Sequence, residues 1–354
     1  MTVKVLYIDD EIGKPRRDAQ QIKSLLEMSN ELECDLQPPP KNIFDSPAVM
    51  PDALLVDLDL SAAKVDGMSI SYFGSTLAAE MRMRHSQCPI ILITRAYIIG
   101  RNRQWLEESG DVDLILDKDA INSNPDRARA DIVALVKGFE DLRTVEGKGW
   151  KHVVDLFQAD GDEIKLIQEA APPLDHGSWN IPQMARWIRS VVMGFPGILY
   201  DELTAATRLG ISLESFRKGS LQEFLKGSKY TGLFSSLSDR WWRDRLFKAA
   251  QSVLLEQRLT GPMFQKCAEA FTARFKEDFE QAICVYDGTP VADWVCYILR
   301  QPVKQRNSIP YYPDGRPAVM DQARVSFKAI RESNDFDENL VDSDSLQIVR
   351  ELWE

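Results

Sequence analysis

Val3-Lys4-Val5-Leu6-Tyr7-Ile8 runs directly into Asp9-Asp10-Glu11. Six residues with β-branched and large apolar side chains, closed by three carboxylates, read as a buried strand that ends at a polar edge. Working outward, the pattern repeats. Ala53-Leu54-Leu55-Val56 ends in Asp57, Pro89-Ile90-Ile91-Leu92-Ile93 ends in Thr94, and Val112-Asp113-Leu114-Ile115-Leu116-Asp117 ends in Lys118. A short strand is expected near Leu32-Cys34-Leu36, and Pro38-Pro39-Pro40 marks a loop. Between the runs lie stretches with helical spacing: Ala19–Met28, Ser75–Arg84, Arg101–Ser109 and Pro125–Leu142. Asp66-Gly67 reads as a turn. Short apolar runs alternating with helices predict an α/β domain, a doubly wound five-stranded parallel sheet over residues 1–143.

The chain has 354 residues, enough for two domains at roughly 150 residues each. Residues 144–150 read as a linker, and 151–354 as a mostly α-helical output or interaction domain. Seven of the eight tryptophans lie beyond residue 145, where strand signals fade and helical spacing takes over. Helices are expected within Met184–Met193, Leu199–Arg208, Leu221–Leu225, Arg240–Leu255, Pro262–Tyr286 and Ala318–Glu332. Ser333–Ser345 holds acidic residues and neither Lys nor Arg, so it reads as a mobile surface segment.

A formal net charge of -11 argues against a general nucleic-acid coat or a membrane-surface binder, both of which want basic charge. No apolar run approaches the ~20 residues of a membrane span, and the N-terminus lacks the apolar stretch of a signal peptide. A cytoplasmic protein with no membrane partner is therefore expected. The five cysteines are widely spaced and form no C-x-x-C, so neither a disulfide framework nor a structural zinc site is expected.

The strand ends carry the chemistry. In an open parallel sheet the C-terminal ends of the strands face one crevice. Asp9, Asp10, Asp57, Thr94 and Lys118 would meet there. Crowded carboxylates raise one another's pKa, and a hard divalent cation such as Mg²⁺ relieves the repulsion. One carboxylate can then act as nucleophile toward a phosphoryl group, with the Lys118 cation and the Thr94 hydroxyl placed to bind phosphoryl oxygens.

This set resembles the receiver domain of two-component response regulators. The resemblance rests on Ile8-Asp9-Asp10-Glu11, on Leu55-Val56-Asp57-Leu58-Asp59-Leu60 followed by Asp66-Gly67, on Ile93-Thr94 and on Leu116-Asp117-Lys118, and it covers residues 1–143. It implies a flavodoxin-like receiver fold. It also implies that Asp57 accepts a phosphoryl group from a sensor histidine kinase or phosphotransfer protein, with Thr94 as the switch hydroxyl and Lys118 as the phosphate-binding cation. Asp9, Asp10 and Asp57 would hold Mg²⁺, with the Asp59 backbone carbonyl as a further ligand. Asp59 is a rival nucleophile by residue type, but Asp57 directly ends the apolar run. The chain departs from the family at Asp119, where proline is usual, and at Arg95, Ile115 and Ser61. Arg95 could sit over the pocket.

The resemblance implies a signalling protein, a phosphoprotein that is an autocatalytic phosphoacceptor at most rather than an enzyme. Its helical part would act on an output protein partner, with a homodimer as one form. Residues 144–354 carry no G-x-S-x-G, Walker loop or H-E-x-x-H. Leu203–Ser212, followed by Phe216, Arg217 and Lys218, resembles a helix-turn-helix and offers an alternative, a DNA-binding regulator. A packed helical hairpin with a tight turn at Gly210 is the plainer reading of the same residues. Arg240-Trp241-Trp242-Arg243 is the densest basic-aromatic cluster, which makes Arg240, Trp241 and Arg243 candidate partner or nucleic-acid contacts. A third reading is a phosphorylation-independent, receiver-like scaffold subunit of a larger assembly.

Overall fold

The computed structural model describes residues 2–11, 18–45, 50–60, 64–65, 67–85, 87–95, 110–171, 179–313 and 320–353. The expected helix Arg101–Ser109 and the position of Asp66 lie outside them. The chain divides into two compact units, Met1–Leu156 with Pro173–Trp187, and Phe157–Pro172 with Ile188–Glu354.

The first unit is built on five strands: β1 Val3–Ile8, β2 Leu32–Gln37, β3 Ala53–Asp57, β4 Ile90–Thr94 and β5 Leu114–Asp117. They pair in parallel in the order β2-β1-β3-β4-β5. This is the doubly wound, flavodoxin-like order, whose direction of winding reverses between β1 and β3. The residues explain the layering. All five residues of β3 and of β4 are buried, as expected for central strands covered on both faces. Edge strand β2 alternates, hiding Leu32 and Cys34 and exposing Glu33 and Asp35. Register places the strand ends together: Ile8 lies opposite Val56, Asp57 opposite Ile93, and Thr94 opposite Asp117.

Helices α1 Asp18–Leu26, α2 Gly74–Arg84, α3 Lys118–Ser123 and α4 Pro125–Val145 connect or flank the strands. α1 buries Ala19, Ile22 and Leu26 at helical spacing. Asn124 caps α4 by accepting a hydrogen bond from the Arg127 amide at 3.2 Å, and Pro125 occupies the first turn, where its missing N–H costs nothing. Lys64–Val65 and Met68–Ser69 form a small antiparallel pair around Gly67, whose φ of +81° suits glycine. The indoles of Trp150 and Trp187 lie 5.5 Å apart.

The second unit holds a helical C-terminal region. Its first core gathers Ala205, Ala206, Phe216, Leu246 and Phe271 from helices Glu202–Arg208, Leu213–Phe216, Arg243–Glu256 and Met263–Phe275. A second core, around Cys296, Val325, Ile330 and Val349, is held by short antiparallel pairs and short helices.

Three expectations for this region are corrected. Trp241 and Trp242 do not begin a helix; they form a strand that pairs antiparallel with Leu199–Tyr200, and the helix starts at Arg243. Two adjacent aromatics favour a pleated surface, and a dipeptide has no period to read. The helix expected over Pro262–Tyr286 stops at Phe275, where Lys276 adopts a left-handed φ of 59°. Ser333–Ser345 is anchored: Asp337 caps the turn Glu338–Leu340, the Tyr312 amide donates to the Leu340 carbonyl at 2.7 Å, and Val341 is buried.

Candidate functional site

β1 and β3 deliver their carboxylates to the same edge because they are parallel neighbours in register. Asp9 is fully buried and Asp57 is 5 % exposed, with Asp10 half-buried beside them. One carboxylate oxygen from each of Asp9, Asp10 and Asp57 lies within 4.8 Å of the others. Lys118 follows β5 and reaches back into the cluster. Its Nζ lies 2.7 Å from Asp57 Oδ2 and 3.2 Å from Asp9 Oδ2. Thr94, at the end of β4, is buried, and its hydroxyl has no hydrogen-bond partner among the described residues. The five residues singled out at the strand ends therefore belong to one neighbourhood.

Asp59 stands apart. It is exposed, and its carboxylate is not one of the three in the cluster. The contribution expected of it is a backbone carbonyl. Arg95 engages the Asp18 carboxylate at the start of α1.

The electrostatics follow from burial. Burial pushes the Asp57 carboxyl up from 3.8 to about 7; Asp9 and Asp10 push the same way, and Lys118 opposes them. Burial alone would lower the Lys118 pKa, but Asp57 and Asp9 outweigh that effect and raise it above the ordinary lysine value. Lys118 is also the first residue of a helix, where the dipole disfavours a cation. Its two carboxylate partners outweigh that cost. The site thus holds more negative charge than one lysine neutralises. Three oxygen donors from buried or half-buried carboxylates suit a hard divalent cation, the class to which Mg²⁺ and Mn²⁺ belong.

Two further residues shape the site, and neither was singled out in the sequence. The Tyr7 hydroxyl donates to Asp9 Oδ2 at 2.7 Å, while the Glu11 amide donates to Asp9 Oδ1 at 2.8 Å. The signal for Tyr7 was present: it lies two residues before Asp9 and so shares its face of β1. Gly74 packs against the β3 exit, its amide donating to the Leu58 carbonyl at 2.8 Å. A Cβ at that position would fall 1.9 Å from the Asp57 carbonyl oxygen. No sequence signal marks this, because the contact crosses seventeen residues of chain.

The candidate contacts in the second unit are engaged within it. Arg217 donates to Glu202, with Nε 2.8 Å away, and Lys218 donates to the Asp278 carbonyl over the Phe279 ring. Leu213–Phe216 has four residues and buries Phe216, so it offers little to a major groove. Gly210, at φ +73°, packs so closely on the Phe264 carbonyl that a Cβ would lie 1.8 Å away. This is the geometry of a packed hairpin. Arg240 Nε donates to the Met193 carbonyl at 2.9 Å, and Arg243 Nη1 lies 3.3 Å from Asp321. Trp241 is 1 % exposed, which corrects its assignment as a surface contact: its ring packs edge-on against Phe216, centroids 5.1 Å apart.

No family model matches the chain, and no curated protein matches it. Three of the solved structures similar to parts of it are response regulators. One is the Mn²⁺-bound form of response regulator Rcp1, at 15% identity over 32% of this chain and 80% of that one, with a TM-score of 0.23. Another is the RcsB response regulator of Salmonella typhimurium, at 18% identity over 47% of this chain and 88% of that one, TM-score 0.28. NtrX from Brucella abortus matches at 15% identity over 48% of this chain and 34% of that one, TM-score 0.27. Among the described residues no helix is long and apolar enough to cross a membrane.

Proposed function

We propose that this chain is a response-regulator-like signalling protein that accepts a phosphoryl group on Asp57. The donor is a phosphohistidine on a sensor histidine kinase or phosphotransfer protein in the cytoplasm. The carrying observation is the Lys118 ammonium, which bridges Asp57 and Asp9 inside a cluster of three carboxylates at the sheet's switch point.

In the proposed step an Asp57 carboxylate oxygen attacks phosphorus, the donor's N–P bond breaks, and an O–P bond forms. The imidazole leaves with the bonding electron pair and takes up a proton. Asp9, Asp10 and Asp57 would hold Mg²⁺, whose charge would neutralise phosphoryl oxygens as the group transfers. Lys118 then exchanges its contact with Asp57 for one with the new phosphoryl group, and the buried Thr94 hydroxyl gains an acceptor. Phosphoryl charge thereby alters contacts on both β4 and β5. That change supplies differential free energy for shifting a surface equilibrium. The output we propose is contact between the helical region and a protein partner, with homodimer formation as one form of it.

The test is the intact mass after incubation with Mg²⁺ and a small phosphodonor. Wild type is expected to gain one phosphoryl group and Asp57→Ala none. An adduct that survives in Asp57→Ala but is lost in Asp57→Ala with Asp59→Ala would move the acceptor to Asp59. Absence of an adduct on folded wild type, with both a small donor and a phosphohistidine donor, would overturn the phosphorylation reading and leave a docking subunit.

A further inference from the structure

The second unit contains a groove of about 920 Å³ that opens to solvent. Four cations line it, Lys266, Lys304, Arg306 and Arg324, against one carboxylate, Asp293. Lys266 pairs with Glu269 at 2.9 Å, and Lys304 and Arg306 share Asp287, each at 3.7 Å. Even counting those two acids, four cations face three carboxylates, in a chain whose net charge is -11. Arg306 is largely exposed. Arg324 is fixed by its donations to Ser308 and to the Gln305 carbonyl, which hold the guanidinium in place without neutralising it.

The remaining lining is apolar. Phe264, Val291, Ile309, Phe327 and Ile348 contribute to it, and Ile348 is 40 % exposed although large and aliphatic. Val291 adopts a φ of +72°, in the left-handed region that a β-branched residue rarely enters. It follows the bridge between Ile283 and Pro290, and the next amide, Ala292, donates to Ala282. Val291 is thus held in a strained position at the groove wall. Such outliers cluster at binding sites.

We infer that this groove binds a short acidic segment of a partner protein, one that alternates carboxylates with aliphatic side chains. Charge complementarity selects an anionic occupant. The apolar lining selects a peptide: its carboxylates can meet the cations while its aliphatic side chains cover Phe264, Val291 and Ile348. A nucleic-acid backbone would satisfy the cations and leave that lining unused. The volume lies at the upper end of the roughly 300–1,000 Å³ of small-molecule sites, and the open shape suits an extended chain. This inference deepens the output half of the proposed function and gives the partner a chemistry.

The experiment is fluorescence anisotropy of the full chain with a short fluorescein-labelled peptide of alternating Glu and Leu. Saturable binding is expected, weakening as salt is raised. The double variant Lys266→Glu with Arg306→Glu reverses two solvent-accessible charges and should weaken binding by at least about tenfold. Lys248→Glu, exposed on the helix Arg243–Glu256, should leave it unchanged. Circular dichroism verifies that each variant is folded. Ile348→Gln tests the apolar contribution without changing charge and should weaken binding several-fold. The proposal is overturned if the peptide does not bind, if the charge reversals leave its affinity unchanged, or if duplex DNA displaces it from the groove. Repeating the titration with Asp57→Ala separates the two readings. Peptide binding there, without any phosphoryl adduct on wild type, would sink the phosphorylation reading alone; an adduct without peptide binding would sink the groove alone.

Discussion

At Asp57 the folded protein holds a proton more tightly than the unfolded chain, because burial and two neighbouring carboxylates disfavour the anion. Its pKa rises from 3.8 to about 7. Between these values the native state binds more protons than the unfolded one, so stability falls as pH rises through that window. Metal-free wild type is therefore expected to lose thermal stability between about pH 4 and pH 7, and Asp57→Asn to show a flatter profile. Differential scanning calorimetry across that range decides it; equally steep profiles would exclude Asp57 as the titrating group. Mg²⁺ added at high pH should raise the wild-type midpoint, since a ligand that binds only the native state stabilises it. Tyr7→Phe removes one hydrogen bond to Asp9 and is expected to cost about 1 kcal/mol and weaken Mg²⁺ binding several-fold. Chemical denaturation and isothermal titration measure the two effects. The residue types of this site were legible in the sequence because each ends an apolar run. The proton balance at Asp57 was not, because it depends first on how deeply the fold buries the carboxyl and then on the opposing pull of Lys118, sixty-one residues away.

The element that most constrains the site is the start of α2. Gly74 lets the helix approach the β3 exit, and a Cβ would strike the Asp57 carbonyl oxygen. Gly74→Ala is expected to destabilise the protein by roughly 1–3 kcal/mol, because neither α2 nor β3 can shift without disturbing packed neighbours. Gly161 provides the contrast. It opens the helix Gly161–Ala170, and a Cβ there would meet nothing within 4 Å. Gly161→Ala should stabilise by about 0.5 kcal/mol through the unfolded state. Urea midpoints for the pair test this directly, and equal effects would refute the steric account. The strands of the first unit were readable because runs such as Ile90-Ile91-Leu92-Ile93 are wholly apolar, whereas Trp241–Trp242 was misread because two residues carry no periodicity. The helix expected through Tyr286 failed for a related reason: its apolar spacing continues beyond Lys276, but the backbone turns left-handed there.

Across the whole molecule the five cysteines are buried and unpaired. Burial pushes the Cys34, Cys88 and Cys267 thiols up to about 12, so they carry almost no thiolate near neutral pH. Native protein is expected to react with Ellman's reagent at fewer than about one thiol per chain, and all five to react after denaturation. Rapid labelling of the native state would show that a cysteine lies nearer the surface than the packing allows. By itself the sequence determined the parallel sheet of residues 1–143 and the carboxylates at its C-terminal edge. Apolar runs separated by helices admit few topologies, and parallel strands send all their C-terminal ends to one side. Only the tertiary structure decided how those residues are wired. Arg217 is taken by Glu202, Gly74 packs on the Asp57 carbonyl, and the cations of the second-unit groove come from segments up to 58 residues apart, Lys266 to Arg324. Local patterning carries no information about such pairings; they exist only once folding has brought distant segments together.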